Sequence, residues 1–209
     1  LGFLTSDHIK EISPFYEWAD CLMIGPGISQ AKESIHLMSM VLSSYPGNCV
    51  IDATALSGID FKRDKFSKIP KKTIMTPHYN ELARILNISK QDLTNDLIKI
   101  IRELSIYLEN RVLVLKGVNT IVVDGSENIY ILDKGNSVLS TAGTGDVLSG
   151  IISSYVASGY DLIDAALIGV SIHLRASNIL KDDKIESIVA SDLIDLISDS
   201  QNYFRGTHD

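Results

Sequence analysis

Two rhythms of apolar and polar positions alternate along the first half of the chain. Short continuous apolar runs occur at Asp20-Cys21-Leu22-Met23-Ile24, Asn48-Cys49-Val50-Ile51-Asp52-Ala53, Lys72-Thr73-Ile74-Met75-Thr76 and Arg111-Val112-Leu113-Val114-Leu115. Such runs read as strands covered on both faces, since neither face has to meet water. Between them the apolar residues recur at helical spacing: Ile35, Leu37, Met38, Val41 and Leu42 within Gln30 to Tyr45, then Asn80 to Leu86, then Leu93, Leu97, Ile100, Ile101, Leu104 and Leu108 within Asp92 to Glu109. Alternating strands and helices predict a parallel sheet with helices on both sides.

After Leu115 the pattern changes. Thr120 to Val123 and Asn128 to Leu132 are joined at Asp124-Gly125, which predicts an antiparallel meander at one edge. Three helical stretches follow, Val147 to Ala157, Leu162 to Leu180 and Ser191 to Phe204, separated at Ser158-Gly159 and near residues 181–184. The charged stretch Lys62 to Lys72 reads as a solvated connection, and residues 1–209 as one domain without internal repeats.

Ligands of an open α/β sheet bind beyond the carboxyl ends of its strands. Gly25-Pro26-Gly27, Asp52, Thr76-Pro77-His78, Lys116-Gly117 and Gly143-Thr144-Gly145-Asp146 all fall there. In Ser140 to Gly150, small residues and glycines precede an apolar run, so a helix should begin near Gly145 and present unpaired N–H groups to an anion. Asp146 sits where it would repel that anion. It is either a first-turn residue that suits the helix dipole or a base for a hydroxyl attacking phosphorus.

The other positions carry two readings each. Gly25 to Gly27 is a plain turn or a close approach to ligand, and His78 a structural histidine or a ligand contact. Glu81 closes a capping box at its helix start. Lys116-Gly117-Val118-Asn119-Thr120 is a hairpin corner or a nucleotide cradle, and Asp52 caps the next turn or touches a magnesium shell. His173, Arg175 and His36 read as helical surface or packing residues.

A formal charge of -7 and a pI near 5.2 argue against nucleic acid or an anionic membrane as partner. Cys21 and Cys49 open apolar runs and read as buried free thiols of a reducing compartment, hence a cytoplasmic location. No uninterrupted apolar run reaches the ~18 residues of a membrane span. The chain starts at Leu1 rather than methionine, as an incomplete or processed chain would.

With these pieces in order, the sequence resembles the ribokinase-like ADP/ATP-dependent NAD(P)H-hydrate dehydratases. The residues that carry the likeness are Ile24-Gly25-Pro26-Gly27, Ile51-Asp52-Ala53, Thr76-Pro77-His78 with Glu81, Val114-Leu115-Lys116-Gly117 with Thr120, Gly135-Asn136, and Thr141 to Gly150. The resemblance implies an α/β fold, a ribokinase-like three-layer sandwich with a mostly parallel sheet, an antiparallel edge meander, and its N-terminal part missing from this chain. It implies that Gly27, His78 and Asp146 contact the hydrate of NADH or NADPH, Asp146 being catalytic. It further implies that Lys116, Gly117, Val118, Asn119 and Thr120, with Gly143, Thr144 and Gly145, bind the adenine nucleotide.

ADP or ATP as co-substrate, Mg2+ and a homo-oligomer, a tetramer, also follow from the resemblance; no residue is assigned to a metal. Two departures stand out: Thr54 replaces the family's second aspartate, and Ser29 the glycine after Gly27-Ile28. The alternatives are a vitamin-precursor kinase of the same superfamily and a non-catalytic nucleotide-binding protein.

Overall fold

The strands predicted from the apolar runs assemble in a computed structural model that describes residues 4–133, 135–182 and 188–206. Among the described residues, β1 (Cys21–Ile24), β2 (Asn48–Ile51), β3 (Thr73–Met75), β4 (Val112–Leu115), β5 (Thr120–Asp124) and β6 (Ile129–Leu132) form one six-stranded sheet. Spatial order follows chain order. The first four strands pair in parallel and the last two antiparallel, so the expected meander lies at one edge.

Side-chain alternation divides the core into two faces. Cys49, Ile51, Met75, Leu113 and Ile121 point to one side, against α2 (Lys32–Ser44), α4 (Tyr79–Leu86), α5 (Lys90–Asn95) and α6 (Leu97–Ser105). Val50, Ile74, Val112, Val114 and Val122 point to the other, against α7 (Thr144–Ala157) and α8 (Leu162–Asp182). Helix, sheet and helix thus make the three layers. Short α1 (Ile9–Ile12) and α3 (Phe61–Asp64) lie on the first side, and α9 (Ala190–Asp195) and α10 (Ile197–Gly206) close the second.

Some expectations are corrected. Asp92 to Glu109 is two helices, because Thr94 turns its hydroxyl back to the Lys90 and Gln91 carbonyls and Asp96 leaves helical geometry (φ -118°, ψ 27°). The last stretch divides likewise, at Leu196. Lys62 to Lys72 is more than a solvated connection: Phe66 is 1% exposed and packs its ring 4.9 Å from that of Phe61, tilted by 51°. Burying such a ring stabilises by ~2–3 kcal/mol.

The break near 181–184 reaches residues outside the described set, as does the start of the chain. By length and composition α8 is apolar enough to cross a membrane over Leu162–Lys181, although Asp164 and Arg175 interrupt it. Half of that window is buried inside this fold. Both cysteines are free thiols, Cys21 half-buried and Cys49 buried, and burial raises their pKa to about 11 and about 12.

Candidate active site

The carboxyl edge is built strand by strand. β1 is followed by Gly25 at φ +127°, where any Cβ would collide with the carbonyl oxygen of Asp52, the residue after β2. Only glycine accommodates both demands. The turn continues through Gly27 to Ile28, whose carbonyl accepts the Thr54 hydroxyl at 2.8 Å. Thr54, in the place of the family's aspartate, therefore ties the glycine turn to the segment after β2.

His78 follows β3 and caps α4. Its Nδ1 accepts from Glu81 N–H at 3.0 Å while the Glu81 carboxylate accepts from His78 N–H at 2.8 Å, the capping box expected for Glu81. With Nδ1 accepting, the neutral ring carries its proton on Nε2 and keeps one donor for a ligand. A parallel bridge joins His78 to Lys116, and Lys116 N–H donates to the Pro77 carbonyl at 2.8 Å. The threonine-proline-histidine element and the lysine-glycine element are thereby adjacent.

Helix α7 starts over this edge. Gly143 is its N-cap, at φ +88° and without a capping side chain. Thr144 N–H is taken by the Thr141 carbonyl and Val147 N–H by that of Gly143; the N–H groups of Gly145 and Asp146 have no partner among the described residues. Two unpaired donors at the positive end of a fourteen-residue helix form an anion site. Gly145 packs against the lysine: a Cβ there would lie 3.2 Å from Lys116 Nζ. Asp146 is exposed, and no hydrogen bond or ion pair holds its carboxylate among the described residues.

Lys116 is itself held. Its Nζ donates to Asp52 Oδ1 at 2.6 Å, and Asp52 is 1% exposed. The same oxygen accepts from Ala53 N–H at 2.8 Å, and Oδ2 accepts from Ser149 of α7 at 2.7 Å. Thr76 Oγ1 lies 3.3 Å from Ser149 Oγ. The cap reading of Asp52 is the one observed. Its oxygens are occupied and shielded from water, and among the described residues no three His, Cys, Asp or Glu groups gather into a metal site. The residues present therefore do not fit a protein-held magnesium ion at Asp52.

A cavity of about 480 Å³ brings together His78, Lys116, Gly117, Val118, Thr120, Thr144 and Gly145 of the predicted set. Gly27, Asn119, Gly143 and Asp146 are not part of its lining. Asn119, Gly143 and Asp146 immediately adjoin lining residues in the chain, whereas Gly27 belongs to the turn beyond β1. The wall also contains Asn136, whose side-chain amide donates to Ser177 Oγ and Asn178 Oδ1, and His173.

His173, read from sequence as a surface or packing residue, is 5% exposed, with Nε2 2.9 Å from the Thr144 carbonyl oxygen. A carbonyl only accepts, so Nε2 carries the proton. Burial lowers the His173 pKa to about 4, overriding that hydrogen bond, and nearby Lys116 lowers it further. Helical periodicity hid this residue and Ser149 alike, because a polar side chain on a buried face looks like any other until its partner is known.

An edge of this composition has counterparts in known proteins. The sequence profile described as NAD(P)H-hydrate dehydratase matches residues 4–199. The chain belongs to this family. Among its relatives, the bifunctional NAD(P)H-hydrate repair enzyme Nnr of Dictyoglomus turgidum is 32% identical over 94% of this chain and 38% of its own length. The ADP-dependent (S)-NAD(P)H-hydrate dehydratase of Neisseria meningitidis is 30% identical over 85% of this chain and 60% of its own.

This member of the NAD(P)H-hydrate dehydratase family thus spans 38% and 60% of the lengths of these two relatives. Its fold is that of the ADP/ATP-dependent NAD(P)H-hydrate dehydratase of Bacillus subtilis co-crystallized with ATP/Mg2+, at a TM-score of 0.77 and 25% identity over 88% of this chain and 65% of that one. The expected ribokinase-like sandwich is the architecture found.

Proposed function

We propose that this chain returns the (S)-hydrate of NADH or NADPH to the reduced dinucleotide by nucleotide-dependent dehydration. Direct loss of hydroxide is slow because hydroxide is a poor leaving group, the pKa of water being about 15.7. In the proposed reaction the polyphosphate of ADP or ATP lies on the N–H groups of Gly145 and Asp146 beside Lys116. Asp146 accepts the proton of the substrate hydroxyl as its oxygen attacks the terminal phosphorus, and the shortened nucleotide departs. The ring nitrogen then expels phosphate, the adjacent ring carbon gives up a proton, and the dihydronicotinamide is restored.

The observation that carries this reading is the unpaired Asp146 carboxylate one residue after Gly145, in the helix turn that also offers the free N–H donors. His78 keeps its Nε2 donor for the substrate, and the turn through Gly27 is the other substrate-side element. Magnesium, a cytoplasmic location and a tetrameric assembly belong to the same proposal; magnesium would act as counterion to the polyphosphate.

Incubation of the protein with hydrated NADH and ADP, then with ATP, tests it. Return of near-ultraviolet absorbance together with release of inorganic phosphate is the expected result. A stable phosphorylated product without absorbance would instead identify a kinase.

A further inference from the structure

Among the described residues lining the nucleotide-side cavity, Lys116 is the one lysine or arginine, yet its charge is already answered from beneath. Asp52 Oδ1 lies 2.6 Å from Lys116 Nζ, and Asp52 is 1% exposed, so the carboxylate cannot be reached by solvent or by a ligand. Three further groups fix it: Ala53 N–H, Ser149 on α7, and, through Ser149, Thr76 at the end of β3. The lysine is less enclosed, its side chain 19% exposed on the cavity side. A cation that serves to attract polyphosphate would be expected to stand free; this one is neutralised by a buried carboxylate.

We propose that Asp52 is a positioning residue that sets how strongly the edge holds polyphosphate. This rests on the nucleotide reading of the site given above. The carboxylate places Nζ beside Gly145, where the free N–H groups of α7 begin, and offsets its charge. With the lysine offset, the empty cradle keeps the positive end of the helix dipole and the exposed Asp146 carboxylate but no net cation, so a spent nucleotide and phosphate leave readily. Across the short separations involved, an uncompensated ammonium would bind an anion markedly more tightly.

Asp52→Asn keeps the shape and an acceptor oxygen but deletes the charge. Isothermal titration with ADP and with inorganic pyrophosphate is the test. The expected result is roughly tenfold tighter binding of both ligands, with a steeper loss of affinity as salt rises and a lower kcat. A purely structural role for Asp52 predicts the opposite sign, weaker binding. Unchanged or weaker affinity, or no binding by either protein, overturns the proposal.

Lys116→Gln guards against a variant that does not fold. Removing the ammonium leaves Asp52 buried without its partner, so this variant should melt lower than the parent at neutral pH. A melting temperature equal to the parent's would show that the pair does not form. Since the readouts are binding and melting, a chain that binds ADP but does not dehydrate the hydrate would refute the functional reading and leave this inference standing.

Discussion

His173 on α8 is hydrogen-bonded to the first residue of α7, Nε2 to the Thr144 carbonyl oxygen at 2.9 Å. This contact ties the helix that carries the anion site to the layer behind it. Burial of the ring makes the site acid-sensitive in spite of this bond. Burial places the folded-state pKa at about 4 against 6.5 for the ordinary group, so between those values the unfolded chain binds the additional proton. The stability this group contributes is complete above pH 6.5 and is lost as pH falls toward 4, ~3 kcal/mol in all. Melting temperature against pH for the parent and His173→Gln checks this: the variant should show the shallower slope in that window. Equal slopes would contradict it.

Gly25 is the second point of constraint. Its φ of +127° and the Asp52 carbonyl oxygen leave no room for a side chain. Gly25→Ala should therefore cost ~2–4 kcal/mol in urea unfolding, by combining backbone strain with a forced displacement of β2. A loss below ~1 kcal/mol would mean that the two strand ends are not packed as described.

Arg111 offers a control remote from the chemistry. It is 3% exposed and donates to the Ile69 carbonyl through Nε and Nη2 and to the Leu108 carbonyl through Nη1, at the opposite end of β4 from Lys116. Arg111→Met would leave the buried Ile69 carbonyl unpaired, at ~1–3 kcal/mol, while the Leu108 carbonyl keeps the backbone N–H of residue 111. The expected outcome is a protein less stable to urea by about that amount whose ADP affinity, measured at low temperature where it remains folded, is that of the parent. A changed affinity would point to coupling along the strand.

Much of this was legible in the sequence, for physical reasons that differ from element to element. The strands β1 to β4 are covered on both faces and so appear as unbroken apolar runs, and Gly143 to Asp146 declares a helix start by composition. The likeness carried by the glycine-proline-glycine and threonine-proline-histidine elements led to the family that the profile match shows. What stayed hidden depends on partners far apart in the chain. Asp52 and Lys116 are separated by 64 positions, and neither residue type reveals that the other neutralises it. Phe66 lay concealed among lysines because its burial depends on a left-handed turn at Lys65 and Phe66, which charge composition does not report. The division at Asp96 was masked by apolar residues that keep helical spacing across it.

The most direct test is Asp146→Asn, assayed for turnover of hydrated NADH with ADP and, separately, for ADP binding. Its amide keeps the size of the carboxylate and loses the base. The account predicts a kcat lower by ~10²–10⁴-fold with ADP affinity within a few-fold of the parent. Turnover near that of the parent would remove Asp146 from the chemistry and contradict the account.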